Sequence, residues 1–197
     1  MDQSPIEIQE TLPDELRRQA AEVYWDAFAM KLHALVPGKE KAISLLARVF
    51  NPPQAIIAVQ QGRCLGIAGL HYRGRTFVST PYAIFRQELG WLRGYFGVLM
   101  LHAFEPKPAE NELRIECLAV SPEARGKGIG TRLLAAVYAA ARIRGFNAVR
   151  LEVVDTNPEA RRLYVREGFV WVKTDRIPLV RYFAGFSAQD VMIKQLS

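Results

Sequence analysis

Arg125-Gly126-Lys127-Gly128-Ile129-Gly130 joins an apolar strand pattern over 113–120 to a helical pattern over 128–144. A turn with three glycines in five residues admits left-handed backbone angles, so successive N–H groups can converge on one point. The start of the following helix adds a partial positive end at the same place. Arg125 and Lys127 bring two full charges beside it, so the turn is expected to hold a phosphate or pyrophosphate. On this segment alone, a flexible turn with solvated basic side chains remains the alternative. Either way, a strand running through such a turn into a helix demands a layered α/β chain.

The surrounding pattern agrees. In the helix over 128–144, Ile129, Leu133, Val137 and Ala140 form an inward stripe closed by Gly145. A strand follows over 148–154, and then Asn157 caps a short helix with Pro158 at its first position and Gly168 past its end. Closing strands are expected over 169–173 and 190–195. The first half is less regular: a short strand at 6–8, helices over 13–36 and 39–50, and a strand pair at 55–60 and 64–72 joined by Gln61-Gly62-Arg63. In the first helix the expected buried stripe is Leu16, Ala20, Val23, Ala27, Met30 and Ala34. Pro81 is expected to open a helix over 81–91, and 105–108 reads as a loop. The apolar, aromatic stretch 77–104 is expected to wall a cleft or a dimer interface. Its greasiest part, 91–104, is shorter than the ~20 residues of a spanning helix.

Charge sharpens the picture. The 197 residues carry 26 Lys+Arg against 20 Asp+Glu, a net charge of +6, which points to an anionic partner. Between Arg114 and Arg166 ten basic side chains face five acidic ones, so five of the six excess charges lie around the glycine turn. No basic helix or aromatic RNA-binding signature supports nucleic acid as that partner. Cys64 and Cys117 form no CxxC pair, and His33, His71 and His102 show no ligand spacing, so no metal site is expected. The first residues lack the basic and apolar regions of a secretory signal. A reduced, cytoplasmic, single-domain chain over 1–197, with no separate targeting domain and no membrane contact, is expected.

Three phosphate-binding patterns compete for these glycines. A P-loop needs Gly-Lys-Ser/Thr, which is absent. A dinucleotide fingerprint needs GxGxxG directly after the strand, but Thr131 takes the sixth position and five residues intervene. Arg/Gln-x-x-Gly-x-Gly/Ala is filled completely by Arg125, Gly128 and Gly130. Leu118-Ala119-Val120-Ser121-Pro122-Glu123-Ala124-Arg125-Gly126-Lys127-Gly128-Ile129-Gly130-Thr131-Arg132-Leu133-Leu134 resembles the acyl-CoA-binding motif of the GNAT superfamily of N-acetyltransferases. Asn157-Pro158-Glu159-Ala160, then Leu163-Tyr164 and Glu167-Gly168-Phe169, resembles that family's second signature. Together they cover about 113–173, in family order.

The resemblance implies the GNAT fold, an α/β (α+β) architecture with a mixed central sheet of about six to seven strands flanked by helices. It implies acetyl-CoA as co-substrate, with its pyrophosphate against the amides of Arg125, Gly126, Lys127, Gly128, Ile129, Gly130 and Thr131. Its pantetheine arm would add like a strand beside Leu118, Ala119 and Val120, and the Leu118 N–H would face the thioester carbonyl. An amine would attack directly, without a covalent enzyme intermediate, which leaves Cys117 as a small core residue. Tyr164 takes the place of the family's general acid and, with Asn157, lies near the CoA chain. Two carboxylates compete as general base: Glu116, two residues before Leu118, and Glu152, whose spacing to Tyr164 resembles that of ribosomal-protein alanine acetyltransferases. Either could instead be a paired structural acid, given Arg114, Arg150 and Arg161. His71 could line the acceptor site or be a satisfied core histidine. The acceptor amine is unspecified, and a non-catalytic acyl-CoA sensor with the same fold is the rival function.

Overall fold

The computed structural model of the chain describes residues 4–33, 36, 38–79, 109–176 and 185–196. The expected helix over 81–91, the loop over 105–108, His102 and most of the apolar stretch 77–104 lie outside the described residues.

Among the described residues, seven strands form one sheet in the order β1-β2-β3-β4-β5-β7-β6. They are β1 (Glu7–Gln9), β2 (Ala55–Gln60), β3 (Arg63–His71), β4 (Glu112–Val120), β5 (Ala148–Val154), β6 (Val170–Arg176) and β7 (Ala188–Gln195). β4 and β5 pair in parallel, and the other neighbours are antiparallel. Among the described residues the helices are α1 (Arg17–His33), α2 (Lys39–Val49), α3 (Ile129–Ile143) and α4 (Pro158–Arg166). β2 and β3 meet through Gln61 and Gly62, both at positive φ (52° and 71°), the two-residue turn that matches strand twist.

The sheet separates two apolar layers. On one face α1 and α2 pack with Ile57, Ile67, Phe77, Cys117 and Ala119. On the other α3 and α4 pack with Leu113, Ile115, Val149, Leu151 and Met192. The α3 stripe of Ile129, Leu133, Val137 and Ala140 is buried as its spacing requires. Of the expected first-helix stripe, Leu16, Ala20 and Val23 are buried. Ala27 is exposed, while Ala20, Ala21 and Trp25 are buried, with Tyr24 and Phe28 packed against the same layer. The aromatic rings carry more apolar area than the alanines and so set the buried face.

β4 changes face partway along. Leu113 and Ile115 point to the α3 side, and simple alternation would keep Cys117 and Ala119 there as well. Both instead lie on the α1 side, because the register with β3 runs Leu70↔Ile115, then Gly69↔Cys117, and skips Glu116. Glu116 is therefore the extra residue of a β-bulge. Gly69 lies opposite, and a Cβ there would come 2.4 Å from the Phe77 ring. Only glycine lets that ring close over the bulge.

Candidate functional site

The bulge coincides with a fork in the sheet. β4 and β5 pair from Glu112↔Ala148 only as far as Ile115↔Leu151, although β4 continues to Val120 and β5 to Val154. The remainder of β5 stays bound to β7. Beyond Ile115, no strand among the described residues pairs with the outer edge of β4, which contains Leu118, Ala119 and Val120. Among the described residues, nothing occupies the place of an extended ligand along that edge.

The glycine turn lies where this edge ends. Ser121 is anchored by its N–H on the Leu65 carbonyl (2.9 Å), and a single 3-10 turn over Pro122–Ala124 leads into the glycines. Gly126 and Gly128 both sit at φ 74°, and nothing lies within 4 Å of a Cβ built on either. Gly128 caps α3 in a left-handed conformation, with no side-chain cap and no acid in the first turn. The N–H groups that begin α3 are thus left for a ligand, beside the exposed Arg125 and Lys127. Arg125 also donates through Nε to the Val120 carbonyl (3.3 Å). Thr131 is exposed on the same first turn, whereas Ile129 is buried and fixes the turn to the core. An open strand edge running into an uncapped helix start, with cations beside it, fits a pantetheine chain ending in a pyrophosphate.

On the other side of the fork, α4 delivers Tyr164. Asn157 accepts the Ala160 N–H on Oδ1 (3.1 Å), the cap expected from the sequence. At the other end Lys194 Nζ donates to the Glu167 carbonyl. Tyr164, 7% exposed, packs edge-on against Phe169 with ring centroids 5.7 Å apart. Burial pushes its phenol well above the ordinary value, and Cys117 pushes it the same way. Burial also raises the Cys117 thiol far above the usual range, with Glu116 adding to the effect. The Cys117 thiol is therefore a poor nucleophile and lies within electrostatic reach of the tyrosine. Tyr24 of α1 is raised in turn by burial, by Cys117 and by Glu116.

The two glutamates occupy different settings. Glu152, 7% exposed, accepts Arg114 Nε on Oε2 (2.7 Å) and Arg150 Nε on Oε1 (2.8 Å). Both of its oxygens are committed to guanidinium groups. Glu116, 11% exposed, accepts the N–H groups of Phe77 (2.9 Å) and Val78 (3.3 Å) on Oε2. Its Oε1 is 3.8 Å from His71 Nδ1, and His71 is itself buried. The sequence reading missed Tyr24 and the amides of Phe77 and Val78. The spacing Ala20-Tyr24-Phe28 carried a signal for Tyr24, but nothing local marks the two amides. Among the described residues, no cluster of metal-ligating side chains occurs.

This architecture defines an acyltransferase-type α/β sheet forked at its centre. The sequence pattern of the Acetyltransferase (GNAT) family matches residues 17–169, and the chain belongs to that family. Over 80 residues it is 38% identical to the Probable N-acetyltransferase camello of Xenopus tropicalis, a match covering 40% of this chain and 36% of that protein. The chain thus aligns with about a third of that relative's length. A solved acetyltransferase superposes with a TM-score of 0.64 at 22% identity, covering 97% of this chain and all of the other. An acetyltransferase from Salmonella typhimurium, solved with its cofactor acetyl-CoA, gives 0.61 at 17% identity, covering 98% and 95%. Both likenesses concern the fold.

Proposed function

We propose that the chain is an N-acetyltransferase that moves an acetyl group from acetyl-CoA to a primary amine by direct attack within a ternary complex. The observation that carries this reading is the fork itself. Its open β4 edge leads to the glycine turn at one end, with Tyr164 and Glu116 near its vertex. Acetyl-CoA supplies the activated thioester, and the chain supplies position and proton handling. The amides from Arg125 to Thr131 hold the diphosphate, and the β4 edge at Leu118, Ala119 and Val120 aligns the pantetheine. The Leu118 N–H faces the carbonyl oxygen where negative charge develops, and Asn157 borders the chain of the coenzyme. Tyr164 provides the proton for the departing sulfur. Glu116 is favoured over Glu152 as the group that takes the amine's proton, because both Glu152 oxygens are already bound by arginines. Free, buried Cys64 and Cys117 agree with a reducing, cytoplasmic setting.

Native mass spectrometry for bound CoA, followed by thiol release with spermidine, an aminoglycoside, lysine and an N-terminal tripeptide, tests the reading. Turnover with any of them supports it. Tight CoA binding without turnover moves the chain to an acyl-CoA sensor.

Gly128→Val offers a more local check. Its Cβ meets no neighbour, so the folded chain bears mainly the left-handed strain of about 1–2 kcal/mol, while the side chain stands over the amide cradle. Calorimetric CoA affinity is expected to fall by at least about tenfold, a loss of ~1.4 kcal/mol. Affinity equal to that of the unmodified protein would remove the turn from the binding site.

A further inference from the structure

Facing the fork from the α1 side is a strip of ionisable groups that spans three strands. His71 on β3 lies opposite Arg114 on β4, and Arg114 lies opposite Arg150 on β5. Directly opposed side chains share a face of the sheet. Arg114 and Arg150 are committed to Glu152, and Arg150 Nη1 also lies 3.9 Å from Glu112 Oε2. Glu116 and His71 face one another at 3.8 Å, with side chains 11% and 10% exposed. Among the described residues, the Arg114 cation lies directly across from His71, and Tyr24 from α1 and Cys117 from β4 lie within electrostatic reach of Glu116.

The geometry of this couple is specific. The Phe77 and Val78 N–H groups fix Glu116 through Oε2, so Oε1 is the oxygen directed at the imidazole. At 3.8 Å the separation is too long for an Nδ1–H···O bond. It leaves the two groups close enough for a proton to pass between them with a small side-chain movement. An imidazole is ordinarily more basic than a carboxylate, so the ring is the stronger proton acceptor of two such groups. The bulge sets this pair beside the point where β4 leaves β5, on the side opposite α4 and Tyr164.

We propose that His71 is a positioning residue that acts through Glu116, storing on Nδ1 the proton that the incoming ammonium must shed. The inference rests on the transferase reading above. An N–H bond of the ammonium breaks, and its electron pair stays on nitrogen as the attacking lone pair. The proton passes to Glu116 Oε1 and on to the lone pair of His71 Nδ1. Glu116 returns to the carboxylate and is now paired with an imidazolium. Neither redox change nor a further reactant is needed.

Two measurements on the full chain with CoA bound decide it. The first follows the ionisation of the His71 ring by NMR, in the unmodified protein and in Glu116→Gln. That substitution keeps an oxygen for the two N–H donors but removes the charge, and the ring's ionisation is expected to fall by about 1 pH unit or more. The second compares pH profiles of kcat/KM. His71→Gln is expected to lose the acidic limb and about 10²-fold in rate, with unchanged CoA affinity, and added imidazole should restore part of the rate to His71→Ala. A ring ionisation indifferent to Glu116→Gln overturns the proposal, as do superimposable profiles for His71→Gln and the unmodified protein. If His71→Gln does not fold, the ring titration alone decides. An unmodified protein that binds CoA but acetylates none of the amines overturns the transferase reading instead, and the titration still reports whether the couple exists.

Discussion

Tyr164→Phe is expected to lower kcat by about 10²- to 10⁴-fold while CoA affinity and unfolding midpoint change little. The substitution keeps the ring that packs edge-on against Phe169, and it leaves untouched the Asn157 cap and the Lys194 contact that hold α4 at its two ends. Only the hydroxyl is lost. Burial raises that phenol far above its ordinary value, so it remains protonated throughout the neutral range and well into alkali. The alkaline side of the rate profile is therefore expected to come from a group other than Tyr164. The same low-dielectric surroundings make a thiolate forming beside it more basic than in water, which offsets the weakened acidity of the buried phenol. Stopped-flow release of CoA thiol under saturating amine measures the effect directly. Unchanged turnover in Tyr164→Phe would sink the assignment of Tyr164 as the acid, whatever the amine.

The parts of the site that were legible in the sequence are those built from contiguous residues. The turn from Arg125 to Gly130 needs left-handed glycines at fixed offsets before a helix, and Gly126 and Gly128 take those angles. The Asn157 cap is local in the same sense. What sequence could not resolve depends on register between strands. The bulge at Glu116 exists because Gly69 and Leu70 of β3 meet Cys117 and Ile115, and neither strand alone announces the skipped residue. The alternation of Leu113, Ile115, Cys117 and Ala119 reads as one buried face, yet it is divided between two layers. The choice between Glu116 and Glu152 was open for the same reason. Arginines were visible on both strands, but only the parallel register of β4 with β5 sets Arg114 beside Arg150, where one carboxylate can bridge them.

That bridge leads to the largest expected loss of stability. Glu152→Ala is expected to destabilise the fold by about 3–5 kcal/mol, because it leaves charges uncompensated away from water. Arg114 and Arg150 have side chains only 12% and 14% exposed, and they are direct neighbours across the strand pair. Without Glu152 the two guanidinium groups repel, and among the described residues only the 3.9 Å contact of Arg150 with Glu112 remains to offset them. Glu152→Gln should lose less, since its carbonyl can still accept one Nε–H, but its amide group turns donors toward the second arginine. Urea unfolding with an unchanged m-value reads these losses cleanly. Adding Arg114→Ala to Glu152→Ala should recover part of the loss, because it removes one of the stranded charges. The same pair of variants arbitrates the chemistry. If Glu152 is the structural bridge, Glu152→Gln protein held below its unfolding transition keeps the shape of the rate profile, whereas Glu116→Gln loses the acidic limb. A fully stable Glu152→Gln that loses that limb would hand the base to Glu152 and leave Arg114 and Arg150 without the role argued for them.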